Sequence, residues 1–274
     1  IYSTSFLHHE TIINDIKTVL AESSTVDYPR GSRSPISRER KIRRNSSGSG
    51  SALGLPADFN YKTKPELAAL GAELFFDRRL SINNTISCAT CHIPSQGFTS
   101  NEVATPIGFE GRTVRRNAPS LLNVGYLSTF FHDARESKLE EQVWSPLLAS
   151  NEMANPSIGY VVQKIKRLRG YKEKFQAQFE KGITRETIGL ALAAYQRSLI
   201  AGGSAFDYYY YLGQIDALDV AERRGFELFR GKANCVACHL IERKKALFTD
   251  QKAHNTGIGY FSAMIPKQSK RSEE

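Results

Sequence analysis

The amino-acid sequence predicts a mainly α-helical protein with two related units in tandem behind a basic, flexible extension. Three observations carry that prediction. Apolar residues recur at helical spacing, with no sustained strand alternation. A short pattern occurs twice, as Gly71-Ala72-Glu73-Leu74-Phe75 and again as Gly225-Phe226-Glu227-Leu228-Phe229. Each copy is followed by a Cys-x-x-Cys-His pentapeptide, Cys88 to His92 and Cys235 to His239, and together these use all four cysteines.

Composition sets the outer limits. A chain of 274 residues with 41% hydrophobic content is globular, with room for one large domain or two modest ones. No apolar run is long enough to cross a bilayer, and no basic-then-apolar signal segment opens the chain. The net charge of +9 and pI near 9.4 raise nucleic-acid binding. That class is set aside because the cations concentrate in one tract. Arg30, Arg33, Arg38, Arg40, Lys41, Arg43 and Arg44 are interleaved with Ser, Gly and Pro and run into Ser46-Ser47-Gly48-Ser49-Gly50-Ser51. This is linker composition, so residues 1–51 read as a solvated extension, with contact to an acidic partner as its functional alternative.

The elements follow in order. Ile12, Ile13, Ile16, Val19 and Leu20 have helical spacing, with His8 and His9 just before them. The folded unit begins near Leu53. A helix is predicted over Pro65 to Phe76, leading into the first Cys-x-x-Cys-His, and Phe98-Thr99 follows it. Val161 to Gln178 and Thr184 to Leu199 read as amphipathic helices, with Ser157 and Thr184 as caps. Tyr208 to Tyr211 is an aromatic run suited to packing. Ala217 to Phe229 reads as the helix leading to the second motif, and Phe248-Thr249 repeats the earlier echo. The units are therefore drawn as 52–205 and 206–274. The stretch after His239 is short against that after His92, so the second unit reads as incomplete within this chain.

Cys-x-x-Cys-His is the attachment sequence for c-type haem. Two thiols add to the haem vinyl groups, and the adjoining imidazole meets one face of the iron. A four-cysteine zinc site, a redox pair or two disulfides could use the same cysteines, but none of these explains a histidine after each pair. Two covalently bound haem c groups are expected, at Cys88, Cys91 and His92 and at Cys235, Cys238 and His239. Covalent haem is assembled outside the bacterial cytoplasmic membrane, so the expected compartment is the periplasm.

With these motifs in place, the chain resembles the bacterial dihaem cytochrome c peroxidase and MauG superfamily over roughly residues 53–260. The carrying residues are Leu74-Phe75-Phe76-Asp77, Leu80-Ser81, Arg116 to Asn123, Phe131-His132-Asp133-Ala134-Arg135, Leu139 to Gln142, Pro146 and Glu152-Met153. In the second half they are Gly225 to Phe229, the haem motif, Phe248-Thr249-Asp250 and His254 to Gly257. The resemblance implies two cytochrome c-like haem domains, a reactive haem on His92 and a relay haem on His239. It places Gln142, Pro146 and Glu152 around the open face of the reactive haem, and Asn117 beside a calcium ion. A buried carboxyl at Glu152 suits moving a proton between the two oxygens of peroxide, and Gln142 can orient it without titrating.

Three departures from the family pattern matter. Phe109 stands where many members carry a haem-blocking histidine, which implies a reactive haem open without preactivation. His132 replaces the inter-haem tryptophan, leaving His132 or the nearby Trp144 as the electron route. The relay haem's sixth ligand is expected beyond the chain, with Tyr260 and Met264 the late candidates. The implied activity is reduction of hydrogen peroxide with electrons from a small cytochrome c or cupredoxin. The alternatives are MauG-type oxidation of Tyr or Trp residues on a partner protein, and a dihaem electron carrier. A homodimer is among the expected assemblies.

Overall fold

The computed structural model describes residues 53–56 and 63–255. The expectations for the first helix, His8, His9, the basic tract, Tyr260 and Met264 fall outside those residues. Within them the chain is helical, and β pairing is limited to the isolated bridges Ile93–Thr99, Ile107–Thr113 and Phe130–Glu136.

Helix α1, Pro65–Phe76, matches its predicted bounds. Pro65 starts it where a missing N–H costs nothing. The helix stops at Asp77, whose extended backbone frees its carboxylate to accept from Arg79 N at 2.9 Å. The exposed Arg79 and the buried Tyr171 hydroxyl complete a network on the same buried carboxylate.

Helices α2, Leu139–Gln142, and α3, Trp144–Leu148, are short and almost continuous. The predicted helix over Val161 to Gln178 is two helices, α4, Ile158–Arg167, and α5, Tyr171–Gln178. Leu168 leaves the helix, and Gly170 takes a φ of 92°, open to glycine alone without strain. The break lets Val161 and Ile165 on one helix and Tyr171 and Phe175 on the other face the same core. Ser157 caps α4 as predicted, its hydroxyl accepting from Tyr160 N. Helix α6, Arg185–Ser198, starts from the predicted Thr184, which forms a reciprocal capping box with Thr187.

Helix α6 packs along α1, and Gly71 sets the spacing. A Cβ at Gly71 would lie 1.9 Å from the Ala191 carbonyl oxygen and 2.9 Å from Tyr195 Cβ. Gly189 plays the same part between α6 and α2, where a Cβ would come within 2.5 Å of the Glu140 carbonyl.

In the second half, α7, Ala205–Leu212, carries the aromatic run, with Phe206 stacked on Tyr210 and edge-on to Phe226. Helix α8 is Val220–Arg230. It starts later than predicted because Asp219 forms a reciprocal cap with Glu222, while Ile215–Ala217 is a separate 3-10 turn. Residues 53–54 strap the halves together, Leu53 O accepting from Gly203 N and Gly54 O from Ala246 N.

The repeated pattern meets different surroundings in its two copies. Leu74 is 0% exposed and Leu228 is 54% exposed. Among the described residues nothing lies within 4 Å of a Cβ placed on Gly225.

Candidate haem sites

Each Cys-x-x-Cys-His folds as a single 3-10 turn, Cys88–Thr90 and Cys235–Ala237. The turn places the histidine N–H on the first cysteine's carbonyl, at 2.9 Å in both copies. Ser87 and Thr90 brace the first turn from below, Ser87 N donating to the Thr90 hydroxyl at 3.1 Å.

The histidines are oriented alike. His92 Nδ1 lies 2.9 Å from Phe98 O, and His239 Nδ1 lies 2.9 Å from Phe248 O. A carbonyl can only accept, so Nδ1 carries the proton and Nε2 keeps its lone pair for a metal. Phe98 and Phe248 reach their carbonyl positions through left-handed backbone, φ 58° and 53°. Phe75 lies 6.4 Å from the His92 ring, and its counterpart Phe229 lies 6.1 Å from the His239 ring. The internal repeat is thus also a repeat of geometry, from the helix end to the aromatic wall, the turn and the backbone acceptor.

These residues fit covalent haem. Among the described residues all four thiols are free, and no three His, Cys, Asp or Glu side chains converge to hold a bare metal ion. The two cysteine pairs therefore do not build one zinc site. Burial pushes the Cys88 thiol up to about 12, and burial with the Glu152 charge pushes Cys91 to about 11. Burial also pulls the His92 imidazole down, which favours its neutral, ligating form.

Beside His92 lies a cavity of about 780 Å³, within the 300–1,000 Å³ range of small-molecule and cofactor sites. A second chamber of about 70 Å³ adjoins it. Cys91, His92, Leu121, Gln142, Pro146, Glu152 and Gln196 line both. The fold therefore brings His92 together with the three residues expected to face it, from elements fifty and more residues away in sequence.

The loop carrying Glu152 is fixed by its backbone. Glu152 N donates to Ala149 O at 2.9 Å, and Glu152 O accepts from Phe109 N at 3.0 Å. Gly108 permits this contact, because a Cβ there would lie 2.0 Å from Asn151 O. Below, Asn155 Nδ2 donates to both Leu80 O and Leu147 O at 2.8 Å. Burial raises the Glu152 carboxyl above its usual range, and the positive charge of Arg135 opposes the rise. A carboxylic acid raised in this way holds a proton at higher pH than one in water.

The other predicted residues separate. His132 lines the large chamber and is exposed, its Nε2 lying 3.3 Å from Asn117 O. Trp144 is 4% exposed and packs into the apolar core, and it lines neither chamber. Phe109 also lines neither chamber. It packs against the core beside the Arg112 guanidinium, and its backbone positions Glu152. The Asn117 side chain bonds Ser100 O and Ala118 N, and its backbone carbonyl lies 3.3 Å from His132 Nε2. Two cavity residues carry no assignment from sequence. Arg135 sits inside the Phe-His-Asp-Ala-Arg stretch, 3.5 Å over the Phe131 ring and paired with Asp133. Gln196 has no local signal beyond its place on a helix.

A covalent-haem turn led by a helix, with its histidine fixed by a backbone carbonyl, defines a c-type haem protein. The family model for di-haem cytochrome c peroxidases matches residues 65–214, and the chain belongs to that family. It is 40% identical over 196 residues to the methylamine utilization protein MauG of Methylorubrum extorquens, covering 71% of this chain and 54% of that protein. It is 36% identical to the cytochrome c551 peroxidase of Nitrosomonas europaea, over 64% of this chain and 51% of that protein. Among solved structures, the diheme peroxidase BthA of Burkholderia thailandensis aligns with a TM-score of 0.62 at 32% identity, covering 69% of this chain and 54% of that one. A MauG-like protein associated with microbial copper homeostasis aligns with a TM-score of 0.60 at 29% identity, covering 77% and 62%. The chain spans about half the length of most of these relatives.

Proposed function

We propose that the chain belongs to a periplasmic dihaem c-type peroxidase that reduces hydrogen peroxide at the haem held by Cys88, Cys91 and His92. Electrons come from the haem held by Cys235, Cys238 and His239, which a small cytochrome c or cupredoxin recharges. The observation that carries this reading is Glu152, a half-buried carboxyl group sharing one cavity with Gln142, Pro146 and the His92 imidazole.

Bound haem iron supplies the electrons that reduce the O–O bond. The chain supplies the rest. His92 would hold the iron through Nε2, because Phe98 O keeps the ring proton on Nδ1. Glu152 moves a proton from the near oxygen of peroxide to the leaving one, which departs as water. Gln142 would orient peroxide by hydrogen bonding, and Pro146 would give the cavity wall beside it a surface that cannot ligate iron. His132, at the rim of the same cavity, is the proposed point of electron entry.

The relay unit is proposed to be a second cytochrome c-like domain that this chain holds in part. Support comes from α8, where Gly225 and Leu228 copy Gly71 and Leu74 but are uncovered among the described residues.

A MauG-type reading, oxidation of Tyr or Trp on a partner protein, has its own support in the likeness to MauG and in Phe109, a residue that cannot ligate iron, at the sequence position where many family members carry a histidine. The holoprotein separates the readings. One high-spin and one low-spin ferric haem are expected, and Glu152→Gln should slow the peroxide reaction by about 10²-fold or more, the usual worth of a positioned proton shuttle. Unchanged kinetics would remove Glu152 from the mechanism. Two low-spin haems inert to peroxide would make the protein an electron carrier. An oxidised state that cytochrome and cupredoxin donors leave undischarged would favour the MauG-type activity.

A further inference from the structure

Helix α6 meets the haem unit with two faces. Ala191 and Tyr195, four residues apart, form the crossing with α1 at Gly71. Gly189 forms the crossing with α2, against the Glu140 carbonyl. Gln196 is seven residues beyond Gly189 and so returns to within about 20° of the same face. Arg197 pairs with Glu140 at 2.6 Å and Arg185 pairs with Glu141, which holds α6 and α2 in register from both sides. The helix that ends in Gln142 is thereby held against the face that carries Gln196.

Gln196 lines both chambers beside Gln142, Pro146 and Glu152 and is only 5% exposed. Its amide is poorly used by the protein. Nε2 makes one long bond, 3.4 Å to Leu192 O in its own helix. Among the described residues no group donates to its Oε1. An amide has two donor hydrogens and two acceptor lone pairs, so on the cavity wall Gln196 keeps hydrogen-bonding capacity that its own helix does not use. The terminal amide torsion is soft, so either end can turn toward a guest.

We propose that Gln196 is a second positioning amide of the peroxide pocket. It works with Gln142 to hold peroxide, or the water that precedes it, by hydrogen bonding beside Glu152. This rests on the reading of the His92 haem as the peroxide-reactive one. A glutamine serving only to brace its own helix would leave ligands of the haem unaffected.

The test uses the ferric holoprotein and fluoride, a ligand that accepts hydrogen bonds and donates none. Fluoride is titrated against the high-spin haem band, and Gln196→Met, of similar length and without an amide, is compared with wild type. One lost hydrogen bond predicts about two- to tenfold weaker fluoride binding, with the low-spin haem spectrum unchanged. The second-order rate with peroxide should fall over the same range. If wild type binds fluoride and Gln196→Met binds it equally well, the proposal is overturned. If Gln196→Met does not take up haem, Gln196→Leu decides, since it also occupies the space without a hydrogen-bond donor or a charge and should weaken fluoride likewise; equal binding again overturns the proposal. A wild-type protein that binds no fluoride at either haem overturns the open-haem reading itself, and this proposal with it.

Discussion

Gly71→Ala and Gly225→Ala place the same methyl at the same position of a repeated pattern, and the structure predicts opposite outcomes. At Gly71 the new Cβ would lie 1.9 Å from the Ala191 carbonyl, where at least 3.0 Å is needed, so α1 and α6 must part by about 1.1 Å. That separation loosens the fully buried contacts of Leu74, Phe75, Ile188 and Leu192. Forced overpacking of this kind costs about 1–3 kcal/mol and occasionally more. The gain of about 1 kcal/mol in helix propensity offsets part of it. At Gly225 nothing among the described residues meets the methyl, so the propensity gain stands alone. The two variants should therefore differ by about 2 kcal/mol, roughly thirtyfold in the unfolding constant. With a urea dependence near 2 kcal/mol/M, their midpoints should be about 1 M apart. Far-UV circular dichroism in urea reads the midpoint, and retention of the haem bands reports the cavity. A Gly71→Ala midpoint raised as much as that of Gly225→Ala would refute the close crossing at Gly71. Equal losses at both would mean that Gly225 is covered by chain outside the described residues.

Further expectations concern charge. Burial alone would raise the Asp77 carboxyl, but hydrogen bonds from Arg79 and Tyr171 outweigh it and hold the group below its usual value. The network's stability is therefore present above the unfolded carboxylate range and lost as pH falls through the depressed value. Tyr171→Phe should cost about 1.5–3 kcal/mol in urea unfolding at neutral pH, as befits a buried bond to a charged acceptor. That cost should shrink as the pH falls through the depressed value and Asp77 protonates; a cost that grew as the pH fell below the ordinary carboxylate range would disprove the pairing. Arg135→Leu removes the cation that opposes the rise at Glu152. The pH midpoint of the peroxide reaction should then move upward, and stopped-flow rates across pH would expose a downward or absent shift.

The parts of the molecule written in short-range pattern are legible in the sequence. Cys-x-x-Cys-His sets its own turn, because the histidine N–H reaches the first cysteine's carbonyl at a fixed offset. Pro65, Thr184 and Ser157 mark helix starts because the groups that satisfy a free helix end lie within three residues of it. Gln142, Pro146 and Glu152 are legible only through likeness to a family, since nothing local ties them to His92. The helix break at Gly170 is less legible, because helical periodicity runs across it on both sides.

What the sequence determined by itself is therefore the number of haem motifs, their inner geometry and the helices that lead into them. Tertiary structure decided which equivalent residues do different work. Leu74 and Leu228, or Gly71 and Gly225, are the same letters in the same pattern, yet only the first of each pair meets a partner helix among the described residues. Trp144 was separated from the cavity, and Gln196 brought into it, by how α6 crosses α1 and α2. Those crossings depend on contacts about 120 residues apart or about fifty apart, and periodicity along one helix cannot say which neighbour a face will meet.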